Sequence, residues 1–230
     1  MKLGGTAMTY PYKEPLFSNF LLVRMALSPG SLADFSRHMR ALVGPVFRDK
    51  LGWQLLRAGK LEPAPSNEEH IVHLWQLPEP ANLWQGMYTV AGNSSYAELN
   101  KLVLREAQEL LRLAPLSPVK LELDCQSNDL FAICELELVQ DWKLVCRWRE
   151  RLLSFNVQKQ TGPDGWPLYA TFRPQTGNLR RQLNVWQVDE KLLGNAAAWQ
   201  GQNPAPSDQL ANGPQVATHG QIEVYEVLRY

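Results

Sequence analysis

The chain has 230 residues, a formal net charge of zero, 45% hydrophobic residues and 20% charged ones. That profile is ordinary for a soluble globular protein, with enough apolar material for one large domain or two small ones. Balanced charge argues against nucleic acid and anionic membrane surfaces, which both ask for a basic face, and no apolar run approaches the roughly 20 residues that span a bilayer.

Residues 1–18 read as an extended arm. Tyr10, Pro11, Lys13, Glu14 and Pro15 break it up, and it lacks the charged-then-apolar order of a secretion signal. The first predicted strand is 20–27. A helix follows, with Ser31 placed to cap it and Asp34 three residues on. Leu32, Phe35, Met39, Leu42, Val43 and Val46 recur at helical spacing. Gly52-Trp53 then reads as a turn into a second strand, 53–58. A third strand is 71–77. A long helix carrying Tyr96, Leu99, Leu102, Val103, Leu110 and Leu113 comes next, and 119–123 closes the half as a fourth strand.

The second half repeats this order. Trp75, Gln76 and Glu79 match Trp186, Gln187 and Glu190 at an offset of 111, and 20–27 matches 131–138 at the same offset. Gly52-Trp53 matches Gly165-Trp166 at 113, and 119–123 resembles 222–226 at 103. Four segments in one order, with offsets that differ by small insertions, mark an internal duplication. The second-half strands are 131–138, 166–172, 182–188 and 222–227, with a helix after Asp141. Residues 201–220 are rich in Pro, Asn, Gln, Gly and Ala and read as a loop. Strand, helix, strand, strand, helix, strand, given twice, is the ferredoxin-like pattern. The expected division is 1–127 and 128–230.

A strand, a helix, a Gly-Trp turn and a His-x-Trp strand resemble the NIPSNAP-like branch of the dimeric α+β barrel superfamily. The residues that carry this are Gly52-Trp53 and His73-Leu74-Trp75, repeated as Gly165-Trp166 and Asn184-Val185-Trp186. The resemblance implies an α+β fold of two tandem ferredoxin-like modules. Their antiparallel four-stranded sheets would face each other as a pseudo-dimeric barrel. It also implies a range of activities, from cofactor-free monooxygenases, isomerases and cyclases to haem enzymes and proteins without known activity, so fold alone does not fix function.

Candidate site residues come from strand alternation. If Val72 and Leu74 pack on helices, then Ile71, His73, Trp75 and Leu77 face the barrel. By the same parity Gln182, Asn184, Trp186 and Val188 face in. His73 is the candidate general base or acid, because a neutral imidazole exchanges protons near neutral pH. Its plainer reading is a hydrogen-bonded core histidine. In strand one, Arg24 with Phe20 and Leu22 faces in, and it aligns with Glu135. A buried charge needs a partner. Arg24 therefore either holds a ligand anion or pairs with Glu135, and pairing is the commoner outcome. Trp75 and Trp186 would wall the site, and Asn184 would be the counterpart of His73.

Other chemistry finds no support. There is no Gly-x-Gly-x-x-Gly, P-loop or Gly-x-Ser-x-Gly. The four histidines are too scattered for a zinc site, although a lone His73 is compatible with haem. Cys125, Cys134 and Cys146 are odd in number and form no Cys-x-x-Cys pair, which fits free thiols in a reducing cytoplasm. The expectation is a cytoplasmic barrel enzyme of isomerase, cyclase or monooxygenase type that acts on a small apolar or aromatic metabolite without metal or cofactor, as a monomer or homodimer. The competing expectation is a non-catalytic ligand-binding or interaction protein with a filled barrel. Interior volume separates the two.

Overall fold

The computed structural model describes residues 19–62, 64–78, 88–114, 130–138, 168–188 and 217–230. In chain order these form β1 (Asn19–Leu27), α1 (Leu32–Leu42), β2 (Gln54–Leu61), β3 (Glu69–Leu77), α2 (Ser94–Leu102), β4 (Val103–Leu113), β5 (Leu130–Leu138), β6 (Leu168–Pro174), β7 (Arg181–Val188) and β8 (Ala217–Val227). The eight strands close into one barrel in the order β1-β3-β2-β8-β5-β7-β6-β4. The chain is thus a mixed α+β protein with a sheet-rich core, and closure leaves few free strand edges.

Within each half the strands pair over long registers. Asn19–Leu27 runs against Leu77–Glu69, and Leu130–Glu137 against Val188–Arg181. The halves meet along two short seams. Gly59, Lys60 and Leu61 pair with Val227, Glu226 and Tyr225, and Leu111, Arg112 and Leu113 pair with Pro174, Arg173 and Phe172. Gly59 is needed at the first seam. A Cβ there would lie 2.6 Å from the Phe131 ring and 2.7 Å from Tyr225 Cβ.

α1 starts differently from expectation. Ser31 makes no side-chain cap; its hydroxyl donates to Ser28 O at 2.6 Å. The free N–H of Leu32 is taken instead by the Glu69 carboxylate at 2.9 Å, across from β3. A charged acceptor at a helix N-terminus also suits the helix dipole. After α1 the chain widens into a π-helical stretch, Val43–Arg48. Pro45 lies inside it and has no N–H to continue an α ladder. The expected turn at Gly52 is present, at a left-handed φ of 66° that glycine adopts without strain.

Two core layers result. Outside the barrel, Leu21, Val23, Met25, Ile71, Trp75 and Leu77 pack under α1 and α2 against Phe35, Met39, Leu42, Phe47, Trp53 and Leu99. Inside, Phe20, Leu22, Leu56, Val72, Leu74, Leu111, Phe131, Ile133, Phe172, Leu183, Val185 and Tyr225 fill the lumen from both halves.

This corrects the predicted facing of β3 and β7. β1 is oriented as expected, but His73 and Trp75 lie on the helix-covered outer face, and Val72 and Leu74 point inward. Cross-strand partners share a face, and β3 sets His73 opposite Val23 and Val72 opposite Arg24. The same register reverses β7: Leu183 and Val185 are inside, while Asn184 and Trp186 are outside. A second correction concerns 103–113, which is β4 and not the end of the helix. The predicted strand at 119–123, the helix after Asp141, the division near 127 and most of the 201–220 loop lie outside the described residues; residues 217–220 begin β8.

Candidate functional site

Between the outer face of β1 and β3 and the two helices lies a cavity of about 90 Å³. Phe47, Trp53 and Trp75 form its aromatic wall. The Phe47 and Trp53 rings stack at 5.6 Å, and Phe47 meets Trp75 at 4.8 Å. Met39 and Leu99 come from the helices, and Glu106 and Gln108 of β4 stand exposed at its edge.

His73 is the polar centre of this wall. It is 2% exposed, and burial alone pushes its imidazole down to about 3. At neutral pH it is therefore an uncharged ring. Its Nε2 lies 3.0 Å from the Tyr230 hydroxyl. Tyr230 also packs on Phe35, and burial raises its own phenol above the ordinary tyrosine value. Trp53 adds a second polar atom: its Nε1 is buried and has no hydrogen-bond partner among the described residues. A histidine titrating near 3 is a weak proton acceptor, so the arrangement suits hydrogen bonding to a ligand better than proton abstraction near neutral pH.

Arg24 and Glu135 are together, but elsewhere. Arg24 Nη2 lies 2.6 Å from Glu135 Oε1 and 3.3 Å from Glu223 Oε2. Arg181 bonds both Glu135 oxygens, through Nε to Oε2 at 2.9 Å and through Nη2 to Oε1, and reaches Glu109 at 2.5 Å. Tyr225 donates its hydroxyl to Glu223 at 2.6 Å. Burial disfavours the Arg24 charge, yet Glu223, Tyr225 and Glu135 hold its pKa above the usual value. Burial likewise acts to raise Glu135, but Arg181 and Arg24 hold its carboxyl below the ordinary range. The network ties β1 and β4 of the first half to β5, β7 and β8 of the second. A further cavity of about 210 Å³ opens beside Arg24, Glu223 and Tyr225.

In the second half Asn184 and Trp186 lie on the outer face of β7, buried at 3% and 4% exposure. The Asn184 side-chain oxygen accepts from Thr171 at 3.0 Å and from Gln182 at 3.1 Å. The predicted residues thus fall into three places: His73 with Trp75, Arg24 with Glu135, and Asn184 with Trp186. Sequence reasoning missed Trp53 as a cavity donor and Tyr230, Arg181, Glu109 and Glu223 as partners. Gly52-Trp53 was visible as a turn motif, so Trp53 carried a signal. The others are brought in by strand register between distant segments. Among the described residues no group of three or more His, Cys, Asp or Glu side chains could hold a metal ion, and no helix is long and apolar enough to cross a membrane.

No protein-family model matches this sequence, and no curated protein does. Solved structures do. A proposed monooxygenase from Fusobacterium nucleatum superposes with a TM-score of 0.60 at 8% identity, covering 92% of this chain and 93% of that one. An anthrone oxidase-like protein gives 0.55 at 13% identity, covering 92% of each chain. A NIPSNAP family protein from Agrobacterium tumefaciens is covered over 100% of its length by 45% of this chain, at 12% identity and a TM-score of 0.37. At such identities the first two likenesses concern the fold alone, here a mixed α+β fold whose eight strands close into one barrel.

Proposed function

We propose that the chain binds a small, largely apolar or aromatic molecule in the cavity under α1 and α2, with His73 and Trp75 in contact with it. The observation that carries this reading is an apolar, aromatic-walled space whose lining holds an uncharged imidazole and a buried Trp53 N–H without a partner among the described residues. Buried donors normally have partners, and ligand sites pair an apolar wall with a few placed polar groups. The barrel lumen is the poorer candidate: apolar side chains from both halves pack its middle, and the larger cavity at its Arg24 end meets Arg24 and Glu223, which are already paired. Arg24 and Glu135 then serve barrel closure, and Asn184 and Trp186 serve packing of the second half.

Two tandem ferredoxin-like modules, divided near residue 127 and of the NIPSNAP-like branch, are the organisation we favour. The strand order β4-β1-β3-β2 recurs as β8-β5-β7-β6. The reaction class, if the site is catalytic, is cofactor-free isomerisation, cyclisation or oxygen addition to an activated enol. Proteins of this fold described as a monooxygenase and as anthrone oxidase-like favour the last. Binding without chemistry is the second reading, favoured by the low basicity of His73.

Native mass spectrometry of the purified chain, followed by denaturing extraction, tests the site. A co-purifying small molecule is expected in the wild type and not in Met39→Trp, whose indole fills the cavity. Equal occupancy in both proteins sinks the assignment. Turnover of the extracted molecule in air separates enzyme from carrier.

A further inference from the structure

We infer that Tyr230 sets the ligand specificity of this cavity by holding His73 as a hydrogen-bond donor, so that the site selects uncharged aromatic molecules bearing a hydrogen-bond acceptor, such as an aromatic aldehyde or ketone. The inference rests on the cavity being a binding site. Tyr230 is well placed for the role. Leu228 N–H bonds Ala58 O at 2.9 Å, one step beyond the Gly59–Val227 pair, which carries 228–230 from the second half onto the first. The Tyr230 ring then meets His73 edge-on at 5.4 Å and Phe35 at 6.4 Å.

Two neutral groups share the hydrogen bond at 3.0 Å, and only one of them can supply its proton. A phenol O–H is the stronger donor, and the half-buried Tyr230 hydroxyl has no other partner among the described residues. Tyr230 therefore donates to Nε2, and the ring proton resides on Nδ1. His73 lines the cavity, and Nε2 is its one bonded ring nitrogen among the described residues. Trp53 Nε1 is a donor that cannot accept, and it too has no partner there. Two residues of the cavity lining thus carry an N–H group that no described residue accepts. An acceptor oxygen satisfies them; an ammonium group does not, and the one carboxylate on the lining, Glu106, stands exposed at the edge. A carboxylate would lose its hydration with no Lys or Arg on the lining to replace it, and it would meet Glu106 at the edge.

The second half is built otherwise. Asn184 occupies the position aligned with His73, but its oxygen is already shared by Thr171 and Gln182.

Proton-detected NMR of protein labelled with 15N-histidine reads the arrangement directly. His73 Nε2 should resonate as an unprotonated ring nitrogen and Nδ1 as a protonated one, and Tyr230→Phe should shift the ring toward the Nε2–H form. A protonated Nε2 in the wild type overturns the inference, and that result needs no variant to fold. Benzaldehyde and toluene, similar in size, read the ligand side by quenching of tryptophan fluorescence. Benzaldehyde should bind on the order of tenfold more tightly than toluene, Tyr230→Phe should lose most of that preference, and His73→Asn, which keeps an N–H near Nδ1, should retain part of it. Equal affinities in the wild type overturn the selection alone. Binding of neither probe, with the stated NMR pattern intact, overturns the cavity as a site.

Discussion

His73 illustrates how burial changes what a residue can do. On its sequence neighbours alone it is a candidate base, but under α1 its folded pKa is about 3, against about 6.5 in an unfolded chain. The folded value is depressed, so this group's stabilisation is fully present above about pH 6.5 and is lost as pH falls toward 3. The slope is roughly 1.4 kcal/mol per pH unit from this group alone. Denaturant titrations between about pH 7 and 5 should show that slope in the wild type and a flatter profile in His73→Gln. Parallel profiles would remove His73 from the account. Glu135 acts in the same direction, but its window opens only below the unfolded carboxylate value of about 4.3, so the two contributions separate. The Arg24–Glu135 pair was legible in advance because the duplication aligns the two positions. Glu223, Glu109 and Arg181 were not, since nothing in their local sequence reports the register that brings them together.

Residues 103–113 mark the limit of local reading. Leu-Arg-Glu-Ala-Gln-Glu-Leu-Leu-Arg-Leu is composed of strong helix formers, and α2 leads straight into it. In the fold, nine of these residues pair with β1, and the last three close a seam with β6. Sheet context outweighs intrinsic preference here, as it does where a strand's packing surface is already built. The parity signal was faint, because Leu111 is buried on the inner face while Leu104, which the β1 register skips at a bulge, is half exposed. That contrast yields a measurable difference. Leu111→Ala should cost about 2–5 kcal/mol, as for other fully buried leucines, and Leu104→Ala less than about 0.5 kcal/mol. Comparable losses by chemical denaturation would contradict the strand. The β3 error has a related origin. Hydrophobicity did not discriminate two buried faces, and only pairing with β1 fixes which one carries His73 and Trp75.

At the scale of the whole molecule, the halves are joined less by backbone than by what they enclose. Each seam has three residue pairs, whereas pairings within a half have four to nine. The remaining cohesion comes from the shared lumen and the charge network. Gly59 probes the lumen at a seam: Gly59→Ala forces a methyl onto Phe131 and Tyr225 of the other half and should cost about 1–3 kcal/mol. The network tests whether the barrel behaves as one unit. Glu135 is the carboxylate that both arginines share, so Glu135→Gln leaves Arg24 with Glu223 and Arg181 with Glu109. All five side chains are 17–28% exposed, so solvent tempers the loss, which should be about 1–3 kcal/mol. Native-state hydrogen exchange then shows how the loss spreads. If lumen and network make a single cooperative body, amides in the centres of β1 and β3 should lose the same protection as those in β5 and β7, since all open through one global event. Loss confined to β5, β7 and β8 would mean that the second half opens alone. In that case the Tyr230–His73 contact, which joins the halves at the cavity, would break with it, and ligand affinity would fall in step with the exchange of the second half.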